Sequence, residues 1–277
     1  MMRITRLFEN QRRISDLLFA VVLALVSGFT LLGNAIFYRG SSAQTASVSP
    51  TFFGNLGLTA TIIGVVVVGF WHIPPRELGI SWRNVAIGCV ALPLAWCAFA
   101  IAQVVMGVAD ASLTFNSNWS SVSGIDRISS DWVGQIFGNA PYEELVFRAF
   151  LIPQLYLRLP GRSVLIRLIG AIVLSQVFFA MCHIGTRVFK SHLGGFELGV
   201  NLAQVFGSGL AFAWIYMRTL NPFVASAFHA LSNYSHPVYF ANREYFPNET
   251  WLVNLAVAVA FGAAFPRIER RLGIVLE

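Results

Sequence analysis

Leu17-Leu-Phe-Ala-Val-Val-Leu-Ala-Leu-Val-Ser-Gly-Phe-Thr-Leu-Leu-Gly-Asn-Ala-Ile-Phe37 carries no ionisable side chain from end to end. A helix needs about 20 mostly apolar residues to cross the hydrocarbon core of a bilayer, and this stretch supplies them. Only lipid can accept a helix that is apolar on all sides at a protein's surface. Working outward, similar runs recur at Leu56–Ile73, Val85–Val108, Trp132–Tyr156, Leu165–Cys182, Leu198–Met217, Pro222–Tyr239 and Trp251–Phe265. The Trp132–Tyr156 run is interrupted, and the last two are short. The pattern predicts an all-α fold, a polytopic transmembrane helical bundle of about eight spans. No internal repeat or soluble domain is visible, so residues 1–277 read as a single integral membrane domain.

Composition agrees. Hydrophobic residues make up 56% of the chain and charged residues 12%, against about 25% charged in soluble domains. The net charge of +6 is scattered between apolar runs rather than gathered into a patch. It therefore points to lipid headgroups and not to nucleic acid. Cys89, Cys97 and Cys182 lie in apolar stretches without a CxxC, as inert thiols do. The basic N-terminus leads into an apolar run too long for a signal peptide, and no cleavage site is evident.

Eight spans put both termini on one side. That side collects 13 basic residues: Arg3, Arg6, Arg12, Arg13, Arg76, Arg83, Arg158, Arg162, Arg167, Arg218, Arg267, Arg270 and Arg271. The other side has 5, namely Arg39, Arg127, Arg187, Lys190 and Arg243. The excess places both termini in the cytoplasm. The nearly uncharged loop from Gly40 to Pro50 suits the far side.

Ionisable groups inside spans are expensive and mark function. The fourth run reads Gly138-Asn139-Ala140-Pro141-Tyr142-Glu143-Glu144-Leu145-Val146-Phe147-Arg148. Gly-Asn-Ala reads as a break, and Pro141 as the first turn of a new helix. Both glutamates then sit in a first turn, where the helix dipole favours anions. Glu144 and Arg148 are spaced i,i+4 with the acid first, the better order for an ion pair. Glu143 is offset by about 100° and is left free for chemistry. Phe179 and His183 share a face, as do His229 and Asn233. Capping, interfacial histidines and polar helix–helix contacts explain each feature separately. Together they offer a carboxylate and an imidazole to deprotonate water, plus an imidazole and an amide to hold an oxyanion. Glu143, His183 and His229 could equally hold Zn²⁺, although no HExxH is present. The residues alone leave metal and metal-free chemistry open.

Three motifs in order, Glu143-Glu144-x-x-x-Arg148, Phe179-x-x-x-His183 and His229-x-x-x-Asn233, resemble those of the CAAX protease and bacteriocin-processing (CPBP, Abi) family. These are intramembrane endopeptidases related to type II CAAX prenyl endopeptidases. The resemblance is good from Trp132 to Tyr234, so residues 132–239 are the expected catalytic core. It implies that Glu143 and His183 activate water, that His229 and Asn233 form the oxyanion hole, and that Glu144 and Arg148 support them. It implies no firm cofactor, since the family is described both as metallo- and as glutamate proteases. The expected partners are membrane lipids and a peptide or protein substrate, lipid-modified ones included. The expected location is the bacterial inner (plasma) membrane. The charge count puts the three motifs in the outer half of the bilayer. A catalytically idle membrane binding protein, such as a bacteriocin immunity factor, is the competing reading.

Overall fold

Short polar side chains set several helix starts. Ser81 Oγ accepts from Asn84 N at 3.2 Å, Ser121 Oγ from Gly124 N at 3.1 Å, and Ser163 Oγ from Ile166 N at 3.4 Å. Asn221 Oδ1 accepts from Phe223 N at 2.9 Å, with Pro222 in the first helical turn. Each bond satisfies an amide that the helix itself leaves open. The computed structural model describes residues 8–9, 11–40, 50–161, 163–241 and 247–271. Residues 41–49, which form most of the expected far-side loop, lie outside the described residues, as do Arg3, Arg6, Arg162 and Arg243.

Of the described residues, 82% are helical. Its helices are α1 (Asp16–Gly40), α2 (Pro50–Leu58, followed by π-helical Thr59–Phe70), α3 (Trp82–Ala109), α4 (Val122–Val133, followed by π-helical Gly134–Asn139) and α5 (Ala140–Glu143, followed by π-helical Glu144–Leu151). They continue with α6 (Ile152–Tyr156), α7 (Val164–Cys182), α8 (Ile184–Phe189), α9 (Gly195–Thr219), α10 (Pro222–Asn233) and α11 (Pro247–Arg271). Strands β1 (Leu113–Phe115) and β2 (Tyr239–Ala241) pair antiparallel, with Thr114 opposite Phe240.

Among the described residues, six helices are long and apolar enough to cross a membrane: Asp16–Gly33, Phe52–Phe70, Pro75–Ala109, Val164–Phe189, Gly195–Thr219 and Trp251–Arg271. They coincide with six of the eight expected runs. Their apolar side chains face outward in quantity, Leu17, Phe70, Ile101 and Ile166 among them. The protein is an all-α integral membrane protein.

Two readings need adjustment. Gly138-Asn139-Ala140 is not a break, because Asn139 and Ala140 both have right-handed helical dihedrals. The chain instead widens into a π turn, in which Ala140 N donates five residues back to Gln135 O. A π turn takes up extra chain per turn without ending the helix. The seventh run ends as a helix at Asn233, not Tyr239. At 12 residues, α10 spans roughly 18 Å. Beyond it, the carbonyls of Tyr234, His236 and Pro237 are taken by Trp132 Nε1, Trp119 Nε1 and Asn116 Nδ2 at 3.0, 3.1 and 3.0 Å.

The chain forms two compact units, interleaved in sequence. The first comprises Met1–Thr45, Gly57–Gly79 and Leu145–Ala213. In it α1 packs on α7 and α8, and α6 packs on α7. Buried Gln154 and half-buried Arg158 of the α6 region secure the segment ahead of α1. Gln154 Nε2 donates to Arg12 O at 2.8 Å, and Arg158 Nη2 to Ile14 O at 2.6 Å.

The second unit comprises Ala46–Leu56, Ile80–Glu144 and Trp214–Glu277. Here α10 lies along α3 and also meets α5, while α11 packs on α3. Phe99, Phe228 and Phe261 join α3, α10 and α11, with successive ring centroids 4.8 and 5.3 Å apart. Gly88 makes the α3–α10 approach feasible. A Cβ there would lie 2.6 Å from Phe223 Cβ and 3.1 Å from Phe223 C and O. Because backbone must move to admit it, Gly88→Ala is expected to destabilise the protein by about 1–3 kcal/mol. Thermal unfolding in detergent measures this, and an unchanged midpoint would refute the packing argument.

Candidate active site

The second unit brings three of the seven motif residues together. Glu143 closes α5, Glu144 follows it, and His229 lies midway along α10. All three are buried: Glu144 is fully inaccessible, His229 is 3% exposed and Glu143 8%. The His229 ring stands between the two carboxylates. Nδ1 is 2.8 Å from Glu144 Oε1, and Nε2 is 3.5 Å from Glu143 Oε2. A carboxylate oxygen accepts, so Nδ1 is the donor to Glu144 Oε1. That bond fixes the ring and aims Nε2 at Glu143. The expected offset between the glutamates does not send them to separate partners, since one imidazole meets both.

Asn233 ends α10 and is exposed. Its Nδ2 donates to Gln135 Oε1 at 2.9 Å. The same oxygen accepts from Asn139 Nδ2 at 3.4 Å, and Asn139 Oδ1 accepts from Asn55 Nδ2 at 3.0 Å.

The first unit holds Arg148 and His183. Arg148 is fully buried. Its Nη2 donates to Gly209 O at 3.3 Å, and its guanidinium lies 4.3 Å above the Phe179 ring. Gly209 keeps this space open, because a Cβ there would come within 2.8 Å of Gln176 Oε1 and 3.0 Å of Phe179 Cδ1. His183 caps α7, with its Nδ1 2.9 Å from Phe179 O. A carbonyl can only accept, so Nδ1 carries a proton, and in a neutral ring the lone pair is then on Nε2. The ring also packs edge-on against Phe179 at 4.6 Å. Phe179 thus holds a cation on its face and orients a histidine through its carbonyl.

The sequence reading passed over Gln135, Ser175, Gln176 and Gly209. Ser175 Oγ donates to Phe147 O at 2.6 Å. The two glutamines and Ser175 announced themselves only as polar residues in apolar runs. Gly209 gave no signal, since its role is the absence of a side chain.

Among the described residues, no three His, Cys, Asp or Glu side chains group as a metal site. Each motif histidine has its Nδ1 engaged, with Glu144 or the Phe179 carbonyl.

Residues 127–235 match the family described as type II CAAX prenyl endopeptidase Rce1-like. The match spans all three motifs, so this part of the chain is similar to that protease family. It bears out the resemblance carried by Glu143, Glu144, Arg148, Phe179, His183, His229 and Asn233 and supports a peptidase. No curated protein and no solved structure was found to match the chain.

Proposed function

We propose that this protein hydrolyses a peptide bond inside the membrane with a water activated by Glu143 and His183. The observation that carries the reading is the buried Glu143–His229–Glu144 arrangement in an otherwise apolar setting. Water gives a proton to the Glu143 carboxylate, and His183 Nε2 accepts the second water hydrogen bond. The hydroxide attacks the carbonyl carbon, and the carbonyl oxygen gains the negative charge. Asn233 Nδ2–H and His229 Nε2–H stabilise that charge. Because Nδ1–H is given to Glu144, His229 can donate from Nε2 only when both nitrogens are protonated. Glu143 returns its proton to the amide nitrogen, the C–N bond breaks, and a carboxylic acid and an amine leave, the acid's proton passing to the amine to give carboxylate and ammonium. Glu144 positions His229, and Arg148 holds the Phe179 region that orients His183.

Asn233 is a poor zinc ligand and the two histidines come from separate helices, so water activation proceeds without a tightly bound metal ion. The substrates are membrane-delivered peptides or proteins, lipid-modified ones included. The protein sits in a bacterial inner membrane with cytoplasmic termini. Cleavage of an internally quenched farnesylated peptide by the purified protein tests the activity. EDTA is expected to leave the rate unchanged. Loss on chelation with recovery on adding Zn²⁺ would overturn the metal-free mechanism. Binding of the peptide without turnover would favour an idle binding protein.

A further inference from the structure

We infer that Gln135 is the positioning residue of the oxyanion hole, a role that rests on Asn233 being an oxyanion donor. Asn233 is the last residue of α10 and is exposed, so the helix itself does little to restrict its side chain. A donor left to rotate must be ordered again in every transition state, which weakens an oxyanion hole. Gln135 removes that freedom. Its Oε1 accepts from Asn233 Nδ2 at 2.9 Å. Fixing one N–H of a planar carboxamide fixes the other in the same plane, so the second Asn233 N–H is aimed and available.

Gln135 is itself held. Asn139 Nδ2 lies 3.4 Å from the same oxygen, and Asn55 Nδ2 reaches Asn139 Oδ1 at 3.0 Å. With two donors, both lone pairs of Gln135 Oε1 are used. The three amides form a relay of one polarity ending on Asn233. The π turn over Gly134–Asn139 carries two of them, Gln135 and Asn139. This gives that unusual backbone a use, as π turns often have at functional sites. All four residues belong to the second unit, together with Glu143 and His229.

The test uses the full-length protein in detergent with the quenched farnesylated peptide. Gln135→Leu removes the acceptor, and Gln135→Glu keeps it. Gln135→Leu is expected to lower kcat by about 10- to 100-fold with KM unchanged, the scale of a small misplacement. Gln135→Glu retains most of kcat. Gln135→Leu/Asn233→Ala is no slower than Asn233→Ala alone. A second readout needs no substrate. In protein labelled with ¹⁵N at asparagine, the side-chain amide pair lost in Asn233→Ala identifies Asn233. That pair is expected to move and lose dispersion in Gln135→Leu but not in Gln135→Glu. An unmoved pair, or losses that multiply in the double variant, would overturn the inference while leaving the proposed mechanism standing. Normal kcat in Asn233→Ala would overturn the oxyanion assignment and this inference with it.

Discussion

Glu143→Gln is expected to abolish peptide cleavage while the protein inserts and folds normally. The amide has the size and shape of the carboxylate but cannot accept a proton from water. Loss of a general base in such a position typically lowers kcat by about 10²–10⁴-fold. The structure makes the substitution a clean one. Glu143 Oε2 lies 3.5 Å from His229 Nε2, a long contact, and the site's short bond, from His229 Nδ1 to Glu144, is untouched by the substitution. Stability is therefore expected to change little. The measurement is kcat on the quenched farnesylated peptide beside the thermal midpoint in detergent. Near-normal turnover would show that another group takes the proton. Failure of Glu143→Gln to fold would show that the carboxylate has a structural role that this geometry does not reveal.

The membrane architecture was legible because hydropathy is a one-dimensional signal. Leu17–Phe37 and Leu165–Cys182 are apolar enough that only lipid can surround them, and α1 and α7 cover both. The π turns at Gly134–Asn139 and Glu144–Leu151 left no such trace. They change which carbonyl an amide reaches, not which residues are apolar, so Gly138-Asn139-Ala140 read as a break. The end of α10 was equally hidden. His236 takes a positive φ of 41°, and tryptophans distant in sequence collect the carbonyls beyond Asn233. At the site, spacing singled out the motif residues but could not show contacts between helices. An i,i+4 count sees neighbours on one helix, whereas His229 reaches Glu144 from 85 positions away in sequence. Gln135 was missed for the same reason, since its partner Asn233 is 98 positions away. Phe179 showed a shared face with His183 but not that its carbonyl sets the tautomer.

Glu144→Ala is expected to damage folding as well as activity, which sets it apart from Glu143→Gln. Glu144 has no accessible surface, and its Oε1 is the acceptor for His229 Nδ1 at 2.8 Å. Removing it leaves a buried imidazole N–H with no acceptor from that carboxylate, and a cavity where water is scarce. Breaking a buried pair by deleting one partner costs about 3–5 kcal/mol. The loss joins two elements, because His229 is on α10 and Glu144 follows α5, and those helices pack together in the second unit. Activity falls for a separate reason, since an unanchored His229 can turn and Nε2 no longer faces Glu143. Glu144→Gln separates the two effects. Its carbonyl oxygen still accepts from Nδ1–H, so most of the stability is expected to return. Without a negative charge beside it, a doubly protonated His229 loses its counter-ion, so turnover stays low. Thermal midpoints and kcat for the Ala and Gln variants make the comparison. A Glu144→Ala protein as stable as the wild type would remove Glu144 from the structural role. Full turnover in Glu144→Gln would show that His229 works without a charged partner.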